Sequence, residues 1–225
     1  MAKKIGVVLS GCGVMDGSEI HEAVLTLLAL SQQGAEALCM APDMEQRDVI
    51  NHLTQKEMPE KRNVLVEAAR IARGKIKDVQ RVTAQELDGL IFPGGYGAVK
   101  NLCTFASEGP GCDVNPAVAR LAQEVHKAGK PIGAICISPA LMAKIFEGEQ
   151  IQLTIGREAG TAAAIQKMGQ RHEDCEVGEV CVDTGKKIVS TPAYMLAGNI
   201  AEAFSGIQKL VKDVLALTQK PASIR

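Results

Sequence analysis

One stretch indicates the fold of this chain of 225 residues most clearly: Pro131-Ile132-Gly133-Ala134-Ile135-Cys136-Ile137-Ser138-Pro139. Its first half is a short apolar run typical of a buried strand, while Ser138 is a residue favoured at a helix N-cap and Pro139 at the first helical position. A strand that turns directly into a helix is the repeating junction of an α/β fold. The stretch therefore predicts such a junction, with Cys136 on the sharp turn between strand and helix.

Similar apolar runs recur along the chain and alternate with sequence that favours helices. Strands are predicted over residues 4–10, 35–41, 88–93 and 131–136, and helices over 19–33, 64–73, 115–128 and 197–218. This alternation predicts an α/β fold with a mostly parallel sheet covered on both faces. Residues 175–190 are typical of a hairpin, which we expect at the edge of the sheet, and the polar residues 45–62 of an insertion over one end of it.

Length, charge and cysteine usage exclude several classes of protein. The chain fits one domain over residues 1–225, and its 25 basic and 26 acidic side chains give no reason to expect nucleic acid as a partner. No apolar run approaches the roughly eighteen residues of a membrane span, and residues 5–9 are too short for a signal peptide, which predicts a cytoplasmic protein. The seven cysteines form no C-x-x-C pair, so neither a disulfide framework nor a metal site is expected.

The turns that follow the strands are where an open parallel sheet binds ligands. Three of these turns are unusual: residues 10–13, 93–97 and 136–139. At the last of them, free N–H groups and the helix dipole would favour a reactive thiol on Cys136. The N–H of Ile137 and a donor from the Gly94-Gly95 turn could then bind an oxyanion formed on a carbonyl substrate.

A thiol nucleophile needs a proton partner, and the first helix offers three carboxylates near its start. These are Asp16, Glu19 and Glu22. Glu19 suits equally well a purely structural role, in which its negative charge compensates the helix dipole. Glu22 lies a turn further into the helix among apolar residues, where a carboxylate without a partner would be costly. We therefore expect Glu22 to be the partner of Cys136. Cys12, on a glycine-flanked turn, is expected to be a pocket wall.

Long motifs carry a resemblance to a known group of proteins. They are Lys4-Ile5-Gly6-Val7, Leu9-Ser10-Gly11-Cys12-Gly13-Val14, residues 16–29, Pro93-Gly94-Gly95, residues 191–197 and residues 199–203. The chain resembles the class I glutamine amidotransferase-like superfamily, which includes the parkinsonism-associated deglycase and the PfpI-like proteases, and within it the ElbB, or enhancing-lycopene-biosynthesis, glyoxalases. The resemblance implies a flavodoxin-like three-layer sandwich, a Cys136 nucleophile touched by Glu22, Tyr194 near the pocket, and a homodimer.

The same motifs depart from part of that superfamily. Ile137 stands where protease-like members carry a histidine, and no His-x-Glu follows the late strand, where glutaminases complete their triad. Protease and glutaminase activity are therefore not expected. The resemblance implies instead a glutathione-independent glyoxalase that needs no cofactor and converts a small dicarbonyl, glyoxal or methylglyoxal, to a 2-hydroxy acid. Acting on a glycated amine or thiol, the same chemistry would look like deglycation.

The same residues also allow two other functions. Cys136 could be the oxidisable thiol of a non-enzymatic redox-sensing or regulatory binding protein linked to isoprenoid metabolism. The second alternative is dinucleotide binding, because Gly11 and Gly13 follow the first strand and Asp43 follows the second. The third glycine of that fingerprint is misplaced, since the next one, Gly17, comes one position late.

Overall fold

A parallel sheet forms the centre of the protein, as the sequence predicts. The computed structural model describes residues 2–219. Within them, seven strands form the main sheet in the order β10-β11-β7-β6-β1-β2-β5, and all neighbours are parallel except β10 and β11. The strands are β1 (Lys4–Val8), β2 (Glu36–Ala41), β5 (Ile76–Asp78), β6 (Gly89–Phe92), β7 (Ile132–Ile135), β10 (Cys181–Asp183) and β11 (Ile188–Thr191).

Helices cover both faces of this sheet. They are α1 (Ile20–Gln32), α2 (Val64–Ile71), α3 (Tyr96–Lys100), α4 (Phe105–Glu108), α5 (Pro116–Lys127), α6 (Ser138–Ile145), α7 (Ala159–Lys167) and α8 (Ile200–Leu217). Residues of α1, α2 and α8 share one apolar core with the sheet, and residues of α5, α6 and α7 share the other. The predicted three-layer arrangement is therefore confirmed.

Two small pairs of strands lie outside the main sheet. In the predicted insertion, β3 (Ile50–Asn51) and β4 (Lys56–Glu57) form a hairpin. The insertion covers the carboxyl end of β1, since the N–H of Ile50 donates to the Asp16 carboxylate over 2.7 Å. The second pair, β8 (Gln152–Leu153) and β9 (Arg171–His172), is parallel. Strands of two residues are too short to show an alternating apolar pattern in the sequence.

The edges of the sheet hold the main differences from the prediction. Strand β5 was not expected, because a run of three residues that includes Lys77 and Asp78 is typical of a short, charged edge strand and lacks an apolar pattern. The late hairpin lies at the opposite edge as predicted, but its first strand covers only Cys181–Asp183. Residues 176–179 form a turn instead, in which the N–H of Glu176 donates to the Glu179 carboxylate.

Local signals set the ends of the first helix. The side chain of Glu19 caps α1 by accepting from the N–H of Glu22 over 2.7 Å. At the other end Gly34 adopts a φ of 70°, and Ala35 donates back to the carbonyl of Leu30, which completes a Schellman motif. These caps fix where the helix starts and therefore which residue faces the sheet one turn later. Among residues 2–219, no helix is long and apolar enough to cross a membrane.

Candidate active site

The topology brings the three unusual turns to one place. Strands β1, β6 and β7 are consecutive neighbours and parallel, so the turns that follow them meet at the same end of the sheet. The segment after β11 arrives at the same end, because β11 pairs in parallel with β7. This convergence places Cys136, Glu22 and Tyr194 around one point, as expected from the sequence.

Cys136 lies on a strained turn between β7 and α6. Its φ is +61°, in the left-handed region that residues with a Cβ seldom adopt, at a cost on the order of 1–3 kcal/mol. Its N–H donates to the carbonyl of Thr191 over 2.9 Å, which anchors the turn to β11. The thiol is 8% exposed, so its position is determined by the surrounding elements.

Ser138 does not have the role predicted from the sequence. The N-cap of α6 is Ile137, and Ser138 is already the first helical residue. The Ser138 hydroxyl is fully buried and donates to the carbonyl of Pro93 over 2.8 Å. Because this carbonyl precedes the Gly94-Gly95 turn, the hydroxyl ties the cysteine turn to the glycine turn, which a cap on its own helix would not do.

A buried glutamate contacts the thiol. Glu22 is fully buried on the sheet-facing side of α1, and its carboxyl group lies next to the Cys136 side chain, where each group shifts the pKa of the other. Both carboxylate oxygens have further donors: the N–H of Gly94 lies 2.9 Å from Oε2, and the N–H of Tyr194 lies 3.3 Å from Oε1. Four separate segments therefore hold the Glu22 and Cys136 side chains against each other.

The glycine turn after β6 permits this approach. A Cβ on Gly94 would lie 2.5 Å from the Cβ of Cys136 and 2.6 Å from Oε2 of Glu22. Gly95 adopts a φ of +95°, and a Cβ there would lie 2.3 Å from the nitrogen of Glu19. The N–H groups of Gly95 and Ile137 lie close enough to the Cys136 sulfur to lower the pKa of its thiol, and their role as oxyanion donors stays a prediction.

Burial and mutual repulsion control the protonation of the pair. Burial, with a smaller contribution from the charge of Glu19, raises the pKa of Glu22 from 4.5 to about 8. Burial and the neighbouring Glu22 raise the pKa of the Cys136 thiol well above its ordinary value, although hydrogen bonds from Gly95 and Ile137 act the other way. Near neutral pH most of the Glu22 carboxyl is therefore protonated and a minority is ionised, and Glu22 is the more readily ionised member of the pair.

Tyr194 and Glu19 stand beside this pair. The Tyr194 hydroxyl is 2.8 Å from Nδ1 of His21 on α1, and its backbone N–H is the one that reaches Glu22. Burial raises the pKa of Tyr194, and the negative charges of Glu19 and Glu22 raise it further. The Glu19 carboxylate keeps its predicted role at the helix start and also faces the cavity. Its alternative role as a proton partner of Cys136 stays a prediction.

A cavity of about 460 Å³ opens above the thiol. It is bounded mainly by apolar side chains, with Glu19, Glu158, Thr161 and Tyr194 as its polar members; the complete lining is Val14, Glu19, Gly95, Tyr96, Val99, Phe105, Ala106, Cys136, Ile137, Glu158, Thr161, Tyr194 and Met195. Phe105 and Glu158 carried no signal in the sequence, because neither follows a strand of the main sheet. They reach the cavity from a short helix and from the loop before α7.

Cys12 is not among the residues that line this cavity. Burial raises the pKa of its thiol, and the negative charge of Glu67 on α2 raises it further. The prediction that Cys12 forms a wall of this pocket is wrong. The neighbouring glycines are covered by the insertion, since a Cβ on Gly13 would lie 2.6 Å from the ring of His52. The space that a dinucleotide phosphate would need at this turn is filled by protein.

Within residues 2–219, no three His, Cys, Asp or Glu side chains lie close enough together to hold a metal ion. His172 accepts a hydrogen bond from the N–H of Ile155 and lies 3.4 Å from the Asp174 carboxylate. Burial lowers its pKa. These contacts give His172 a structural role in the loop that follows β9.

The fold and the cysteine turn define a class of protein. The chain superimposes on Drosophila melanogaster DJ-1beta with a TM-score of 0.54 over 96% of each chain, at 16% identity, which shows a shared fold. A crystal structure from Ehrlichia chaffeensis, described as an isoprenoid biosynthesis protein with an amidotransferase-like domain, superimposes with a TM-score of 0.89 at 37% identity, over 95% of this chain and 99% of the other. The architecture is thus that of the glutamine amidotransferase-like, DJ-1/ThiJ/PfpI superfamily.

Sequence similarity narrows this class to a family. The chain is 48% identical to glutamine amidotransferase-like class 1 domain-containing protein 3, mitochondrial, of Homo sapiens, over 97% of this chain and 85% of the human protein. No family model matches the chain. The chain belongs to the family of glutamine amidotransferase-like class 1 domain-containing proteins.

Proposed function

We propose that the protein is a cysteine-dependent glyoxalase that needs neither glutathione nor a cofactor and converts glyoxal or methylglyoxal to a 2-hydroxy acid. One observation carries the proposal: a fully buried Glu22 lies beside the Cys136 thiol, and the two side chains are so close that a Cβ on Gly94 would meet both of them. A nucleophile, a base and a pair of oxyanion donors are the parts that addition to a carbonyl requires.

In the first step the sulfur adds to the aldehyde carbon while Glu22, in its ionised form, takes the thiol proton. The raised pKa of Glu22, about 8, makes its carboxylate a strong enough base for this transfer. The N–H groups of Gly95 and Ile137, which face the sulfur in the free protein, then stabilise the oxygen of the adduct. Glu22 returns the proton to that oxygen, which leaves a neutral hemithioacetal and a carboxylate ready to act again.

In the second step hydrogen moves between the two carbonyl carbons. Glu22 removes the proton of the former aldehyde carbon, and the second carbonyl oxygen needs a donor, a role we assign to the Tyr194 hydroxyl because it faces the same cavity and contacts His21 over 2.8 Å. Return of the Glu22 proton to the neighbouring carbon, while the hydroxyl on the former aldehyde carbon gives its proton back to the Tyr194 oxygen, yields a thioester of a 2-hydroxy acid. The former aldehyde carbon has then been oxidised and its neighbour reduced, and water releases the acid and regenerates the thiol.

Several finer expectations are part of this proposal. The Ehrlichia chaffeensis relative is described as an isoprenoid biosynthesis protein, which supports assignment to the ElbB group without defining a reaction. Deglycation would appear as a side activity of the same chemistry. We propose a cytoplasmic location, although the human relative is described as mitochondrial. Cell fractionation checks that location.

We further propose that the protein is a homodimer. Ile20, Val24 and Leu28 lie one turn apart on the outer side of α1 and are each more than two fifths exposed, which supports contact with a second copy. Sedimentation equilibrium measures the mass of the protein in solution. A single species with the mass of one chain at micromolar concentration would overturn this part of the proposal.

The reaction itself is tested with three proteins. Wild-type protein, Cys136→Ala and Glu22→Gln are incubated with glyoxal, and glycolate is measured by chromatography. We expect both variants to lose at least about a hundredfold of the wild-type rate, as for removal of a nucleophile or its base. Cys12→Ala is the matched control, because its thiol lies at the same end of the sheet but does not line the cavity. Glycolate formation by Cys136→Ala at the wild-type rate would refute the proposal.

The redox-sensing alternative receives less support from the geometry. A peroxide sensor needs a low-pKa, accessible thiol, whereas Cys136 is 8% exposed and burial raises its pKa. Mass spectrometry after mild peroxide compares the two functions directly. Stoichiometric oxidation of Cys136 together with turnover below about one per minute would favour the sensor.

A further inference from the structure

The cavity above Cys136 is much larger than the two dicarbonyls named above require. Its volume of about 460 Å³ lies within the roughly 300–1,000 Å³ of small-molecule sites, so glyoxal would leave most of it to water. The surplus space is bounded by Val14, Tyr96, Val99 and Phe105, all apolar or aromatic. Binding of an apolar group in this space is favourable because it removes the apolar walls from contact with water.

The charged groups that face this cavity are all carboxylates. Among its lining residues, which belong to the part of the chain described by the structure, the ionisable acids are Glu19 and Glu158, and neither lysine, arginine nor histidine is present. Hydrogen bonds from Thr161 and Gly160 hold the pKa of Glu158 below its usual value. Glu158 is therefore negatively charged at neutral pH.

Two cations close to the cavity lining are engaged elsewhere. The Lys100 ammonium lies 5.7 Å from the centre of the Tyr96 ring, but it is ion-paired with Asp48 over 2.8 Å. Arg157, next to Glu158 in the chain, is ion-paired with Glu176. Burial is the main cause of the raised pKa of Tyr194, and the negative charges of Glu19 and Glu22 raise it further, which agrees with a negative potential at the cavity wall.

We propose that the cavity selects α-oxoaldehydes that carry an apolar, preferably aromatic, substituent and no negative charge. This inference rests on the proposed glyoxalase chemistry and adds its substrate class. The aldehyde end would meet Cys136 while the substituent lies against Tyr96 and Phe105, and an anionic group in the same space would be repelled by Glu19 and Glu158.

The test uses three dicarbonyls that differ in one property at a time: methylglyoxal, phenylglyoxal and para-carboxyphenylglyoxal. Each kcat/KM is divided by the rate of the same compound with free N-acetylcysteine, and the rate of the Cys136→Ala protein is subtracted, which removes intrinsic reactivity and arginine modification. We expect phenylglyoxal to exceed methylglyoxal at least about tenfold through burial of the ring. The carboxylate should lower the value again by about tenfold or more through repulsion.

A second set of variants isolates the charge. Glu158→Gln should raise the ratio of para-carboxyphenylglyoxal to phenylglyoxal at least about threefold, while Glu158→Asp, which keeps a charge at the helix start, should leave it near the wild-type value. Glu36→Gln is the matched control, since Glu36 lies at the amino end of β2, away from the cavity. Both dicarbonyls are measured on the same protein. A loss of stability at the helix cap therefore lowers both rates equally and leaves their ratio unchanged.

The possible outcomes separate the two proposals. If all three compounds are turned over by way of Cys136 at equal normalised rates, the substrate class is wrong and the glyoxalase function stands. The substrate class is equally overturned if Glu158→Gln leaves the ratio unchanged. If none of the three is turned over in a manner that depends on Cys136, the proposed function itself fails.

Discussion

The buried carboxyl of Glu22 should make the protein less stable as the pH rises. Its pKa is raised from 4.5 to about 8, so between these values the folded state binds a proton that the unfolded state has released. The stability that this group contributes is fully present below the unfolded pKa and is lost as the pH rises through the folded one. At about 1.4 kcal/mol per unit, the loss between about pH 5 and about pH 9 amounts to up to about 4 kcal/mol.

Chemical denaturation of wild-type protein and Glu22→Gln across this pH range measures the effect. Other titrating groups are common to both proteins and cancel in the difference, so the stability of Glu22→Gln relative to wild type should increase with pH by up to about 4 kcal/mol. Cys136→Ala is the matched control. Burial is the main cause of the raised pKa of Glu22 and persists in that variant, which should therefore keep the wild-type slope.

A flat stability profile of the wild-type protein would refute the reasoning. If Cys136 were instead a low-pKa thiolate beside a neutral Glu22, the folded and unfolded states would bind the same number of protons between about pH 5 and about pH 8, and the stability of the wild type would not change with pH. Stability would then fall with pH in Cys136→Ala and rise with pH in Glu22→Gln. Parallel profiles for wild type and Glu22→Gln would likewise show that Glu22 does not hold the proton.

Three further predictions concern single contacts. Gly94→Ala should lower activity at least about tenfold and stability by about 1–3 kcal/mol, measured by glycolate formation and denaturation, because its Cβ would lie 2.5 Å from that of Cys136. Tyr194→Phe should lower kcat while thermal stability stays within about 1 kcal/mol, since the backbone N–H to Glu22 is kept; an unchanged kcat would remove the hydroxyl from the mechanism. Ser138→Ala should cost about 1–3 kcal/mol on denaturation, because it leaves the buried carbonyl of Pro93 without this donor.

The central sheet and the position of the thiol could be predicted because their signals are local. Apolar runs of four to six residues mark β1, β2, β6 and β7, and the topological rule for parallel sheets then places the turns that follow them at one end. Glu22 could be predicted because the helix start at Glu19 fixes which residue faces inward one turn later. These inferences need nothing beyond neighbours in sequence and one rule about connection.

The rest of the site depends on contacts between distant segments. The bond of Ser138 to Pro93 joins residues 45 positions apart, and no local pattern distinguishes it from a helix cap. Phe105 and Glu158 reach the cavity from segments outside the main sheet, where the sequence has neither clear periodicity nor a strand end. The helix start after Cys136 predicts a lowered pKa for its thiol. In the structure, burial and the charge of Glu22 raise that pKa by more than the helix start lowers it.

The close packing of the glycines after β6 against the segment between β1 and α1 has an evolutionary consequence. A side chain on Gly95 or Gly97 would meet the backbone at Gly17 or Glu19, so neither segment can change without displacing the start of the helix that carries Glu22. Phe105 and Glu158 are held by other segments and face the cavity from outside this close packing. Relatives of this protein can therefore diverge in what they accept while the reacting groups stay fixed, and laboratory evolution of new substrates should begin at those two positions.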